Sequence, residues 1–253
     1  MLGARSLQRL VMRLSCLLVA VALALAGCAV PAPPPQAPPA ESPELSQDER
    51  QRLRGDARRA AEDFVTVVQR VEPVAERVCR AETDGIDCDL QIYVDDRPGV
   101  PPNAFQTLDP QGRPAIVFTL ALIADARNQD ELAFILGHEA AHHIAGHIPR
   151  ARASAEIGAL VLGGLAEAAG QGRRGVDTAA QLGAELGARR YAKEFELEAD
   201  ALGTVIAHGA GYDPLRGARF FARIPDPGDR FLGTHPPNDE RLATVARVAA
   251  ALP

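Results

Sequence analysis

One short stretch of the sequence carries the residues best suited to hydrolytic chemistry. His138 and His142 are four residues apart and follow the pattern H-E-x-x-H, with Glu139 after the first histidine. On a helix, residues four apart share a face, so both imidazoles could occupy two positions of a tetrahedral zinc site. Glu139 would lie beside the metal, where a carboxylate can act as a base. The motif predicts a zinc hydrolase, although so short a pattern also arises by chance and a histidine-rich helix can simply be solvated.

A well-marked helix must present this motif. Asn128 is a favourable N-cap, and Pro149 predicts that the helix ends at the preceding residue. Apolar residues at helical spacing between positions 133 and 148 predict a buried face. His143 and His147 lie on a different face from the two motif histidines, which favours a structural or solvent-exposed role for them.

A zinc hydrolase needs a third protein ligand, and a second helix offers candidates for it. They are Glu194, Glu196 and Glu198, which form an acidic run. Glu196 shares its helix face with small residues such as Gly203, which would let the two helices approach closely. Acidic runs usually form a solvated face, and that interpretation fits Glu194 and in part Glu198. Asp200, one turn after Glu196, could accept a hydrogen bond from a ligand imidazole.

The rest of the chain predicts an α+β domain that is mostly helical. Its 253 residues are 47% hydrophobic, enough for one sizeable core. A long helix begins at Ser46, and Pro73 predicts a kink or a break in it. Three short strands between residues 88 and 120 predict a small antiparallel meander before the motif helix. For residues 151–187 we favour a buried or amphipathic hairpin, with a flap or a membrane-touching element as alternatives.

The N-terminus has the features of an export signal. Three arginines precede an apolar segment that is too short to span a bilayer comfortably. This segment ends in Leu25-Ala26-Gly27-Cys28, which resembles the bacterial lipobox. We therefore predict a lipoprotein-type signal peptide over residues 1–27, a lipidated Cys28 with a proline-rich tether over 28–45, and a folded domain over 46–253. An ordinary secretory signal or an uncleaved anchor are the alternatives.

Charge and cysteine usage agree with an exported protein. The net charge is −6, and removal of the signal would take three arginines with it. An acidic chain cannot readily neutralise the phosphates of a nucleic acid. We therefore expect no nucleic-acid partner. Once Cys16 is lost with the signal and Cys28 is lipidated, Cys79 and Cys88 remain, and an oxidising periplasm predicts a disulfide between them. Two free buried thiols are the alternative.

Several separated segments together resemble one enzyme family. They are, in order, Asn103-Ala104-Phe105, Glu131-Leu132-Ala133, His138-Glu-Ala-Ala-His142 with His147, Glu196-Leu-Glu-Ala-Asp200 with Gly203, Gly211-Tyr212-Asp213-Pro214, and Thr234-His235-Pro236 followed by Arg241. This ordered set is similar to the zinc metalloendopeptidases that include the CAAX prenyl protease, HtpX and BepA. The resemblance implies a gluzincin-type fold, one Zn²⁺ ion per chain bound by His138, His142 and Glu196, and Glu139 as the base.

The resemblance also implies roles outside the ligand set. A strand containing Asn103 and Ala104 would bind the substrate backbone by β-addition. His235 would reach the open zinc position and keep the enzyme latent, or else it packs in its loop against the following prolines. Arg241 is a candidate switch or oxyanion donor.

Two functional classes follow from these patterns. The leading prediction is a zinc metalloendopeptidase of misfolded or misassembled envelope proteins, anchored by lipid on Cys28 to the outer membrane and facing the periplasm. The alternative is a periplasmic assembly factor or holdase chaperone with a mostly closed zinc site. A structural lipoprotein with a chance motif is the third interpretation, and the complete set of ligands and base disfavours it.

Overall fold

The computed structural model describes residues 45–224 and 236–253. The predicted signal peptide, Cys28, nearly all of the predicted tether and His235 lie outside the described residues. The elements within these ranges are α1 (Gln47–Glu82), β1 (Gln91–Asp95), β2 (Ala104–Leu108), β3 (Pro114–Thr119), α2 (Leu120–Asp125), α3 (Gln129–Ile144), α4 (His147–Ala168), α5 (Arg173–Arg189), α6 (Ala192–Gly209), α7 (Pro214–Gly217), a 3₁₀ helix (Ala218–Ala222) and α8 (Asn238–Ala249). The predicted class, a mostly helical α+β domain, is confirmed.

Helix α1 begins at a capping box and packs along the core. The Ser46 side chain accepts a hydrogen bond from the backbone N–H of Glu49, and the Glu49 carboxylate accepts one from the backbone N–H of Ser46. Pro73 lies inside the helix and does not divide it. A disulfide joins the end of α1 to the segment before β1, through Cys79 and Cys88, whose Cα atoms are 5.8 Å apart.

The three-stranded sheet is mixed, and the predicted antiparallel meander is wrong in its pairing. The strand order is β1-β3-β2, with β1 parallel to β3 and β2 antiparallel to it. The reason lies in residues 96–103, which include three prolines and are too long for a tight hairpin. This connection carries the chain across to the far side of β3, so β2 becomes an edge strand. The β2–β3 turn forms as predicted, with the Gly112 N–H donating to the Asp109 carbonyl at 2.9 Å.

Helix α3 is the central element of the core. Its side chains Leu132, Phe134 and Leu136 are buried, and it packs against α1, α6 and α7. Its crossing with α6 is close because glycines face each other there. A Cβ on Gly203 would lie 2.8 Å from the backbone nitrogen of His138, and one on Gly137 would lie 2.9 Å from the Gly203 carbonyl oxygen. The predicted small-residue face of α6 therefore does pack on the motif helix.

Helix α3 ends earlier than the proline signal predicts. It ends at Ile144, and Gly146 adopts a left-handed conformation with φ of 65° before α4 begins. Pro149 lies in the first turn of α4, where the missing N–H would have no helical partner in any case. The prediction of a single helix up to residue 148 is therefore wrong, and His147 belongs to the next element.

Helices α4 and α5 form the expected hairpin, but it is not buried. Its two helices pack mainly on each other, and among their residues only His147, Gly163 and Gly183 are buried. The side chains of Ile157 and Leu160 are 63% and 76% exposed. Of the two predicted forms, buried or amphipathic, the buried one is wrong, because the apolar face of α4 has no other described element against it. Among the described residues, no helix is both long and apolar enough to cross a membrane.

Candidate metal centre

Two helices bring three potential metal ligands together. His138 and His142 come from α3 and Glu196 from α6, and one ligand atom of each lies within 4.8 Å of the others. The two histidine Nε2 atoms are 3.0 Å apart. The Glu196 carboxylate oxygens lie 3.6 Å from Nε2 of His138 and 3.4 Å from Nε2 of His142. The predicted ligand set is therefore assembled in space, with Glu196 two helical turns before the close crossing at Gly203.

A buried carboxylate orients the ring of His138. Nδ1 of His138 lies 2.9 Å from Oδ1 of Asp200, which is fully buried. Arg241 from α8 donates two hydrogen bonds to the same carboxylate at 2.8 and 2.7 Å. Burial alone would lower the pKa of His138, but the hydrogen bond and charge of Asp200 outweigh it and raise that pKa. Asp200 is thus located where the sequence predicts an orienting carboxylate.

The ring of His142 is held by a second pair that the sequence analysis missed. Its Nδ1 lies 2.7 Å from Nδ1 of His147, whose Nε2 lies 3.1 Å from the Glu198 carboxylate. His147 is buried and stacks on the Phe195 ring, with centroids 4.4 Å apart. Arg150 fixes Glu198 from the other side at 2.8 Å. The predicted structural or solvent-exposed role of His147 and the predicted solvated face at Glu198 therefore do not describe this contact.

The positions of the hydrogens in the series His142, His147 and Glu198 follow from which of their atoms can only accept a hydrogen bond. Burial lowers the pKa of His147 despite the opposing effect of Glu198, so its ring is neutral and carries one hydrogen. Because the Glu198 carboxylate can only accept, that hydrogen is on Nε2 of His147, and Nδ1 of His147 accepts from Nδ1 of His142. The Asp200 carboxylate can likewise only accept, so a hydrogen is on Nδ1 of His138, facing Asp200.

This arrangement fits a bound cation. When both ligand rings are neutral, as metal binding requires, their hydrogens are on Nδ1 and two Nε2 lone pairs face each other at 3.0 Å, beside the Glu196 carboxylate. Such a group of acceptors is repulsive on its own and becomes favourable around a positive ion. Two imidazoles and one carboxylate are also a ligand set that catalytic zinc uses. The residues present therefore suit a divalent metal ion of the zinc type.

Glu139 lies next to the ligands and also contacts the edge of the sheet. Its carboxylate is half-buried, and the nearby backbone N–H of Gln106 in β2 favours its charged form. Desolvation by burial is the largest influence on it and raises the pKa of Glu139 to about 7, with Glu196 adding to the rise. A carboxyl group with a pKa near neutrality can both accept and release a proton.

A cleft of about 650 Å³ runs past these residues. Residues 102–106 line one side, and the beginning of α4, the end of α5 and the helices near Arg241 line the rest. The carbonyl and amide of Asn103 are bonded to Thr119, both at 2.9 Å. Because strand peptides alternate in direction, those of Ala104 and Gln106 point to the outer edge, towards the cleft.

Arg241 lies in the same cleft but is held by carboxylates. It is buried, and besides Asp200 its Nη2 lies 3.4 Å from the Glu196 carboxylate. Its guanidinium also lies 3.7 Å from the centre of the Phe221 ring. These contacts show Arg241 clamping the carboxylates around the ligands, while its predicted role as switch or oxyanion donor stays a prediction.

A mostly helical domain in which an H-E-x-x-H helix and a second helix bring two histidines and a glutamate together is typical of metallopeptidases. Peptidase family M48 matches residues 66–249 of the chain. This range contains every described residue of the site. The chain therefore belongs to peptidase family M48, and it is a metallopeptidase.

Proposed function

We propose that this metallopeptidase is a zinc-dependent endopeptidase that cleaves extended segments of misfolded or misassembled cell-envelope proteins. The observation that carries the proposal is that Glu139, the ligand triad and residues 103–106 of the sheet edge line one cleft. The candidate base therefore lies beside the outer edge of β2. A chain that pairs with this edge would therefore pass beside the base and the ligand triad.

Substrate binding would use the backbone of the substrate. The outward peptide groups of Ala104 can add an extended chain to β2, and the side chain of Asn103 is exposed next to them. Such pairing requires neither a chain terminus nor a particular side chain. It therefore suits an endopeptidase of unfolded segments, since folded proteins rarely present an unpaired strand.

The residues of the chain account for positioning and proton transfer. A zinc ion bound by His138, His142 and Glu196 would activate water and polarise the scissile carbonyl. Glu139 would accept the proton of the attacking water and deliver it to the leaving amine. Asp200 and His147 would keep the two ligand rings in the orientation that metal binding needs.

Mutation of the base separates this enzyme from a binding protein. Glu139→Gln should retain bound zinc but lose cleavage of unfolded casein, because the amide cannot accept the proton. Glu194→Gln is the matched control, since Glu194 is exposed on α6 outside the triad. Full cleavage by Glu139→Gln would overturn the assigned base. Zinc binding without cleavage by the wild-type protein would favour the holdase alternative.

We also propose that His235 keeps the enzyme latent. Ile224 precedes His235 in the sequence and Asn238 follows it. Both of these residues line the cleft. The Asn238 amide donates to the carbonyl of Phe221 at 2.9 Å, which anchors the start of α8 there. Replacement of His235 by alanine should raise casein cleavage. Unchanged or lower activity would count against a blocking role.

For the location, we propose a lipid anchor on Cys28 at the outer membrane, facing the periplasm. The support is the lipobox-like sequence at residues 25–28. Cys28→Ser should abolish incorporation of labelled fatty acid and leave the protein outside the outer-membrane fraction. Fatty-acid labelling that persists in this variant would refute the assignment.

A further inference from the structure

The α4–α5 hairpin carries an apolar surface that the described domain leaves uncovered. Its two helices pack closely where glycines meet, because a Cβ on Gly158 or Gly183 would collide with the opposite backbone. The hairpin therefore satisfies its internal packing with small residues. Four large apolar side chains of α4 are more than half exposed, so this contact does not bury them.

These side chains form one continuous face of α4. Ile157, Leu160, Val161 and Leu165 are 63%, 76%, 54% and 61% exposed, and their spacing puts them on one side of the helix. We call these four residues the hairpin face. Ala153, Gly164 and Ala168 continue it and are also exposed, while the exposed carboxylates of Glu156 and Glu167 border it on the side of Leu160. Contiguous apolar surface of this kind marks a binding surface.

Charge distinguishes the hairpin from the rest of the chain. Residues 147–189 contain five arginines and four acidic residues, whereas the whole chain has 27 basic and 33 acidic residues. Arg173 and Arg174 are adjacent and exposed at the start of α5, at the hairpin tip, and the exposed Glu167 and Asp177 lie in the neighbouring turns. The arginine pair next to an apolar face is complementary to a membrane with anionic headgroups above an apolar interior.

A second copy of the chain fits this surface less well. The exposed surface of the four side chains of the hairpin face is on the order of 400–500 Å². A two-fold contact through it could cover no more than this per copy, against about 800 Å² per partner in a stable interface. A lipid surface needs no such area if the chain is also anchored to it by the lipid proposed on Cys28. The anchor makes the contact of the hairpin with the same membrane intramolecular.

We propose that the α4–α5 hairpin lies in the interface of an anionic phospholipid membrane, with the hairpin face in contact with the acyl chains. Neither helix is long and apolar enough to cross the bilayer, so the contact is interfacial. The base of the hairpin contributes Ile148, Ala151 and Ala188 to the cleft. Docking would therefore hold the cleft close to the membrane surface, where it would meet substrates emerging from or lying on the bilayer.

The absence of tryptophan from the sequence allows a direct test. Leu160→Trp introduces a single reporter in the hairpin face, and Leu53→Trp introduces one at a 54% exposed position of α1 as the control. Each full-length variant is mixed with vesicles of phosphatidylcholine and phosphatidylglycerol, with and without brominated acyl chains. Leu160→Trp should shift its emission to the blue and lose most of its intensity to bromine, whereas Leu53→Trp should show neither change.

Two further measurements test whether the arginine pair contributes to membrane binding and whether a second copy of the chain covers the hairpin face instead. Arg173→Gln with Arg174→Gln, added to Leu160→Trp, should reduce the quenching on anionic vesicles and make little difference on neutral ones. Equal quenching of both reporters, or none, would overturn the proposal. A blue shift without vesicles that grows with protein concentration would show that a second copy covers the face, which also overturns it. None of these readouts depends on peptidase activity.

Discussion

His142 donates a hydrogen bond from Nδ1 to Nδ1 of His147 over 2.7 Å, although the two residues belong to different helices. His147 is in turn held by Glu198, and Glu198 by Arg150. The orientation of one candidate ligand thus depends on a short chain of side chains that ends at the protein surface. Asp200 and Arg241 form the corresponding support for His138.

Removing the His147 ring should weaken metal binding. We expect His147→Ala to lower zinc affinity by about 10- to 100-fold, because the His142 ring loses the acceptor that fixes its orientation. Competition with a chromophoric chelator measures this without any peptidase assay. His208→Ala is the control, because His208 is exposed near the end of α6. An affinity within twofold of the wild type would show that His147 only fills space.

Metal removal should lower the stability of the fold. A ligand that binds only the native state at 100 times its dissociation constant stabilises it by about 2.7 kcal/mol, because it shifts the equilibrium by mass action. Chelation should therefore lower the unfolding temperature, and added zinc should restore it. Glu196→Gln should abolish the restoration while Glu194→Gln keeps it, as followed by circular dichroism. Full restoration in Glu196→Gln would exclude this carboxylate as a ligand.

The close crossing of α3 and α6 should not tolerate a side chain. Gly203→Ala should destabilise the protein by about 1–3 kcal/mol, since a Cβ there meets the backbone of His138 at 2.8 Å. In Gly164→Ala the added methyl meets no atom within 4 Å. That variant should be unchanged or more stable by up to about 1 kcal/mol. Urea unfolding measures both, and equal stability of the two variants would contradict the proposed tight crossing.

The disulfide should contribute to the stability of the folded domain. It joins residues nine apart, for which chain-entropy arguments give about 2–3 kcal/mol. Replacing both Cys79 and Cys88 by alanine should lower the urea midpoint, and a reductant should lower that of the wild type similarly. The alanine double variant should not respond to reductant. An unchanged midpoint in both experiments would indicate that the bond does not constrain the unfolded chain.

Local signals in the sequence indicate the candidate ligands, and the resemblance to the metalloendopeptidases implies Glu196 among the three glutamates. Helical periodicity puts His138 and His142 on one face, and the small residues around Glu196 mark the face of α6 that packs on α3. Asp200 follows from the same periodicity. The mostly helical α+β class follows from caps, turns and apolar spacing along the chain.

The features that the sequence analysis missed depend on the path of the chain between elements. His147 reaches His142 because the left-handed Gly146 separates α3 from α4, so that helix periodicity extended from α3 assigns His147 to the wrong face. Gly146 followed by Pro149 is the signal that could have revealed this break. The parallel pairing of β1 with β3 and the exposure of the hairpin depend on contacts between distant segments, which spacing does not encode.

Gly146 has a mechanical consequence for the whole site. With Ala145 it forms the whole connection between α3, which carries two ligands, and α4, which begins with the ring that orients one of them. The first helix of the hairpin has 22 residues and is therefore about 30 Å long, and its first residue lies beside the candidate metal ligands. A tilt of the hairpin by a few degrees would move the His147 ring relative to His142. A contact made at the hairpin tip can therefore change the orientation of this ligand ring.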